Sequence, residues 1–280
     1  FPNETLPKGR KQKTTALYDR FVNQGAVMGD SFGLENVLWF ANNKEDAHEE
    51  PTIKRSRSHD YVSKEVINVR ENVGLIEVAN FSKHEFKGPD ARKFLDHIMA
   101  GRLPKPGRIS LSPMLSYRGK LCGDLTVACL DENEFMVFGS GAAQEMHRRW
   151  FESHLDKFNL SYSNRSDEYH GLSIAGPNSR KVLEKIVRDD VSNEKFKFRD
   201  SRRMFVGGVP AIINRISFTG ELGYEIYVAP HYQLKLYEEL MEAGKEFNIK
   251  PFGGRALMSM RLEKNWGAWT LDYRPDFTAK

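Results

Sequence analysis

Two acidic residues sit where acids are costly. Asp124 lies inside an apolar run, residues 121–130 (LCGDLTVACL), and Glu225 lies inside another, residues 224–228 (YEIYV), which follows the turn-rich segment TGELG. Both runs have the length and composition of strands, whose side chains point alternately to two faces. On that alternation Asp124 shares a face with Cys122, Thr126 and Ala128, and Leu125 and Val127 take the other. A carboxylate half-buried on a sheet is unfavourable unless it is paired or put to use. The plainer alternative is an acid on the solvent face of an edge strand. The same choice applies to Glu225, flanked by Tyr224 and Ile226. Two arginines, Arg255 and Arg261, follow on a predicted helix that opens at Gly253-Gly254. Arginines on helices are usually surface residues.

Other chemistries find little support. The predicted strand 134–138 runs through Gly139-Ser140-Gly141 into a helix, as a dinucleotide-binding turn does, but Gln144 stands where the third glycine belongs. No parallel strand ending in an acid follows, so the glycines make a tight strand-to-helix turn. The eight histidines are scattered, and His147 and His154 share a helix face two turns apart, too far to chelate one ion. No metal site is expected. No nucleophile elbow or phosphate loop is present. Cys122 and Cys129, seven residues apart on one predicted strand, should face opposite ways as two thiols of a reducing compartment.

Composition sets the remaining bounds. With 40% hydrophobic and 29% charged residues the chain has the balance of a soluble globular protein. No apolar run approaches the roughly 20 residues that span a bilayer, and residues 1–15 lack the apolar core of a secretory signal. A cytoplasmic location is expected, or the mitochondrial matrix in a eukaryote. The net charge of +4 comes largely from three short runs, residues 8–13, 54–57 and 199–203. Such runs are solvated loops in most proteins. Aromatics do not interleave with them as a nucleic-acid platform requires, and an anionic small-molecule substrate explains the excess equally well.

The elements that must position the acids alternate along the chain. Residues 1–63 read as an irregular, polar connecting arm without a core of its own, with one apolar island at 33–41, and the folded body is expected to begin near Tyr61. Strands are predicted at 74–79, 84–87, 121–130, 134–138, 204–209, 211–218 and 224–228, and helices at 90–99, 141–156, 231–246 and 254–264. Residues 88–98 (GPDARKFLDHI) are echoed by 176–186 (GPNSRKVLEKI), each after a short apolar strand. A unit of strand, Gly-Pro and helix used twice predicts two related α+β halves. Residues 266–280 run on without a closing element, which leaves the C-terminus looking truncated.

In chain order, GLIEVANFSKHEFKGPDARKFL, PMLSYRGKLCGDLTV, GLSIAGPNSRKVL, SFTGELGYEIYV and GGRALMSMRLEKNWGAW resemble the glycine-cleavage aminomethyltransferase (T-protein) family from about Gly74 to Tyr273. The opening segment, residues 14–41, and the form GELGYE are more similar to the folate-binding region of dimethylglycine and sarcosine dehydrogenases. The resemblance implies an α+β aminomethyltransferase fold of two related subdomains with antiparallel sheets. It also implies a tetrahydrofolate-binding domain at 64–280, joined by residues 1–63 to an absent domain that carries FAD, with a C-terminal cap also absent. The implied reaction passes the carbon of an N-methylated glycine to tetrahydrofolate, giving 5,10-methylenetetrahydrofolate. A non-catalytic folate-sensing or RNA-associated module, or a demethylase of another substrate, are the alternatives on the same fold.

Site roles carry over residue by residue. Glu225 would bind the pterin N–H and exocyclic amine together, Arg255 and Arg261 would help hold the anionic cofactor, and Tyr224 and Phe81 would pack on the ring system. Asp124 stands in the strand of the family's catalytic aspartate. T-proteins have two adjacent aspartates there and use the first, which is Gly123 here; the dehydrogenase relatives often keep only the second, which Asp124 matches. The family tyrosine shortly before the Met-Leu pair is Leu111 in this chain.

Overall fold

The computed structural model describes residues 7–49, 52–269 and 271–273. Its first elements lie in the segment expected to be irregular. Helix α1 (Tyr18–Asn23) leads into a hairpin of β1 (Ala26–Ser31) and β2 (Leu34–Phe40), and α2 (Ser58–Glu71) follows. Leu17, Phe21, Ala26 and Val37 enter the largest hydrophobic cluster, so the arm is part of the folded body rather than a coreless connector. The apolar residues that make it so are few and widely spaced, which hid them. Helix α2 was hidden differently: three of its five buried positions are polar, Ser58, Glu65 and Asn68. Glu65 accepts the Phe40 N–H at 2.7 Å and the Gly253 N–H at 3.0 Å, tying the hairpin to the last helix.

Two sheets face each other behind this segment. The first half supplies β3 (Val73–Glu77), β4 (Phe81–Lys87), α3 (Ala91–Ile98), β5 (Arg108–Leu115), β6 (Leu121–Asp131), β7 (Glu134–Ser140) and α4 (Gln144–Glu152). The second supplies β8 (Ser161–Asn164), β9 (His170–Ala175), α5 (Ser179–Ile186), β10 (Ser201–Val206), β11 (Val209–Asn214), β12 (Gly223–Val228) and α6 (Gln233–Gly244). The chain continues through β13 (Ile249–Pro251) and α7 (Gly254–Glu263). One sheet has the order β5-β6-β7-β4-β8 and the other β10-β11-β12-β9-β3-β13. The orders 5-6-7-4 and 10-11-12-9 are the same arrangement used twice, and all pairings are antiparallel except β13 with β3. This is the α+β architecture of two related halves.

The halves also exchange strands. β3 precedes the first unit but pairs with β9, and β8 precedes the second unit but pairs with β4. At the echo itself the backbones coincide: Gly88 has φ +135° and Gly176 φ +130°, and each helix begins three residues later.

Three clusters fill the layers. One lies between the second sheet and α5 and α6, with Leu183, Leu236 and Tyr224. One lies between the first sheet and α3 and α4, with Phe94, Leu125 and Phe151. The third joins the two sheets to α2 and α7, with Ala128, Phe138, Ile212, Tyr227 and Met260. Cys122 departs from simple alternation. It is the unpaired residue of a bulge, since Met114 pairs with Gly123 and Leu115 with Leu121. Cys122 therefore packs against the same cluster as Cys129 instead of opposite it, and leaves the face shared by Asp124, Thr126 and Ala128. Of the terminal stretch 266–280, residues 270 and 274–280 lie outside the described residues.

Candidate functional site

The layer between the sheets is apolar at Phe138 and Tyr227 and polar around them. Phe138 on β7 stacks on Tyr227 of β12 with centroids 4.6 Å apart. Thr126 pairs with Phe138 across β6 and β7, so Thr126 and Asp124, two residues away on the same face, point towards this layer. On β12 the alternation separates Tyr224 and Ile226, which enter the helix-side core, from Glu225 and Tyr227, which face the other sheet. The structure thus brings Asp124 and Glu225 onto facing sides of one layer.

Burial sets the chemistry of both acids. The Tyr227 hydroxyl donates to Glu225 Oε2 at 2.8 Å, and no donor among the described residues reaches Oε1. Burial raises the Glu225 carboxyl to about 7, against the lowering effects of the Tyr227 hydrogen bond and of Lys83. Asp124 is half-buried, has no hydrogen-bond or ion-pair partner among the described residues, and is raised above the usual carboxylate range by burial alone. A half-buried acid without a partner is poised to accept a proton or a hydrogen bond from a bound molecule.

Lys83 was not foreseen. It is wholly buried on β4, paired with Phe138, with its Nζ donating to the Ala79 carbonyl at 2.9 Å and lying 5.8 Å from the Tyr227 ring centroid. Burial lowers its ammonium to about 7. A lysine in the run FSKHEFK carries no sequence signal of burial, because lysines on strands normally face solvent. Tyr227 was legible, being two residues beyond Glu225 and so on the same face.

The remaining expected site residues divide. Phe81 packs against the inter-sheet cluster and pairs with Ser140, within the layer. Tyr224 does not join it: fully buried, it stacks on Phe196 at 5.9 Å on the far side of β12, because adjacent strand residues face opposite ways. Arg255 is exposed at the start of α7 and ion-paired with Glu49, which also accepts the Trp39 indole N–H at 2.6 Å. Arg261 is buried and donates to the Trp266 carbonyl at 3.0 Å and to Asp272, so here it pins the loop after α7. Surface hollows beside Ala16, Asp19 and Arg20 and beside Met146, Arg149 and Trp150 lie away from this set.

Comparison with known proteins agrees with this fold. The family described as GCVT N-terminal domain matches residues 17–280. Dimethylglycine dehydrogenase, mitochondrial, of Homo sapiens is 34% identical over 99% of this chain and 32% of its own length. Sarcosine oxidase subunit alpha of Rhizobium meliloti is 32% identical over 90% of this chain and 25% of its own length. The chain spans about a third or less of the length of these curated relatives. The crystal structure of glycine cleavage system aminomethyltransferase T from Bartonella henselae superposes with a TM-score of 0.80 at 23% identity, over 96% of this chain and 67% of that one. The duplicated architecture and the match over residues 17–280 lead to one conclusion: the chain belongs to the GCVT N-terminal domain family.

Proposed function

We propose that this domain holds tetrahydrofolate between its two sheets and passes to it the one-carbon unit of dimethylglycine or sarcosine, forming 5,10-methylenetetrahydrofolate. The observation that carries the reading is the pair of acids on one layer, one with an open oxygen and the other without a partner. A pterin offers an N–H beside an exocyclic amine, and one carboxylate can accept both. Glu225 has the burial and the free Oε1 for that task, with Tyr227 fixing its other oxygen. Phe81 and Phe138 supply apolar surface nearby.

Asp124 then orients the reacting folate nitrogen and takes its proton as the bond to the one-carbon unit forms. A positioned acid–base group contributes about 10²–10⁴-fold in rate, and a carboxyl raised by burial is a stronger base than a solvated one. The oxidation that releases the carbon would belong to a flavin domain of the same polypeptide. FAD would supply electron acceptance there, and none of the residues described above is assigned to it. Arg255 would hold the anionic tail by exchanging its present partner Glu49. A small-molecule site also suits the charge pattern better than a nucleic-acid surface. Within the basic run, Arg199 donates to the Ile109 carbonyl, Arg202 pairs with Asp200 at 3.3 Å and Arg203 with Glu134 at 2.6 Å. For a eukaryotic source a mitochondrial location fits the names of the dimethylglycine dehydrogenase relatives.

Calorimetry with tetrahydrofolate tests the assignment. Glu225→Ala should weaken binding by about 1–3 kcal/mol, the cost of leaving polar groups unpaired. Equal affinity in the variant and the parent chain would remove Glu225 from the site.

A further inference from the structure

Glu225 has a neighbour across the sheet that nothing above employs. Asn214, the last residue of β11, pairs directly with Glu225 of β12, and the two residues of such a pair share a face. The next pair but one, Ile212 with Tyr227, lies in the inter-sheet cluster, which fixes the face as the one towards the other sheet. Asn214 is fully buried. Its Oδ1 accepts a hydrogen bond from Ser201 Oγ at 2.7 Å, and its Nδ2 has no partner. A buried amide donor left unmade is costly, and such groups in folded proteins call for a specific explanation. Ser201 commits the amide oxygen, so the amino group is the end left for something else. Its cross-strand neighbour Glu225 keeps Oε1 open on the same face. The two side chains together offer an acceptor next to a donor.

We propose that Asn214 is a specificity-determining residue of the folate site, donating from Nδ2 to the ring carbonyl that adjoins the N–H gripped by Glu225. The inference rests on the reading of this site as a tetrahydrofolate site and adds the chemistry of its choice. A 2-amino-4-oxo ring presents amine, N–H and carbonyl in a row, which is donor, donor and acceptor. Glu225 matches the first two and Asn214 the third. A ring with an amino group in place of that carbonyl would meet a donor with a donor, and a site built this way rejects such a ligand because its own group stays unpaired.

Calorimetry on the chain with two probes, tetrahydrofolate and its 4-amino counterpart (tetrahydroaminopterin), reads the contact. Asn214→Leu, close in shape and without a donor, should weaken tetrahydrofolate about tenfold and leave the 4-amino compound unchanged. A parallel loss for both probes, or for neither, overturns the proposal while leaving the folate site in place. A parent chain that binds no tetrahydrofolate overturns both. Should the leucine variant not fold, NMR of the parent chain with isotope-labelled asparagine gives the answer. The side-chain amide of Asn214 is expected to shift and exchange more slowly with water when tetrahydrofolate is added, and an unmoved resonance under saturating ligand overturns the proposal.

Discussion

At the scale of residues, the two acids behave differently because their surroundings do. Glu225 is gripped by Tyr227 and raised to about 7, so near neutrality it is ionised in only part of the population. The ionised form is the one that accepts from two N–H groups. Tetrahydrofolate affinity should therefore climb about tenfold per pH unit below 7 and level off above it, and Glu225→Gln should flatten that dependence. Folding responds in the opposite sense. A carboxyl whose folded value is raised contributes stability below its unfolded value of 4.5, and that contribution is lost as pH rises through about 7. Without ligand, Glu225→Gln should thus gain stability relative to the parent between these limits, read by urea titration at several pH values. Asp124 has no partner to lose. Asp124→Asn should fold with stability close to the parent and slow one-carbon transfer to tetrahydrofolate about 10²–10⁴-fold in the full-length polypeptide; unchanged transfer would exclude Asp124 from the chemistry. Both acids were legible as charges inside apolar strands. Asn214 and Lys83 were not, since a polar residue at a strand end or on a strand face gives no hint of which face is covered.

At the scale of elements, the echo of Gly88 and Gly176 was legible because backbone geometry dictates residue type. Both glycines occupy a left-handed region that other residues rarely adopt. A Cβ at Gly88 would lie 2.8 Å from Leu160 Cα, and one at Gly176 would lie 2.5 Å from the Val69 carbonyl oxygen. Alanine at either position should cost about 1–3 kcal/mol in urea unfolding, with similar losses at the two sites. A negligible loss at one of them would show that the halves are not equivalent there. The exchange of β3 and β8 between halves could not be read from the sequence. Both are short, and their partners are set by packing of distant segments, which local periodicity does not encode.

At the scale of the whole molecule, the segment before residue 64 carries weight that its composition conceals. Leu17, Phe21, Val37 and Trp39 are each less than a tenth exposed, and burying one such side chain is worth about 1.5–3 kcal/mol. Losing four exhausts much of the roughly 5–15 kcal/mol by which a domain is stable. A chain beginning at residue 64 is expected to lose its cooperative thermal transition by circular dichroism, whereas a sharp transition would restore the view of that segment as a mere connector.

The central claim is that a pterin lies between the two sheets, held by Glu225 and facing Asp124. A crystal structure of the chain grown with tetrahydrofolate tests it most directly. The expected density is a bicyclic ring beside Phe81 and Phe138, with its amine and N–H on Glu225 and a reacting nitrogen turned to Asp124. Density for the ring elsewhere on the molecule, with Glu225 still bonded only to Tyr227, would contradict it.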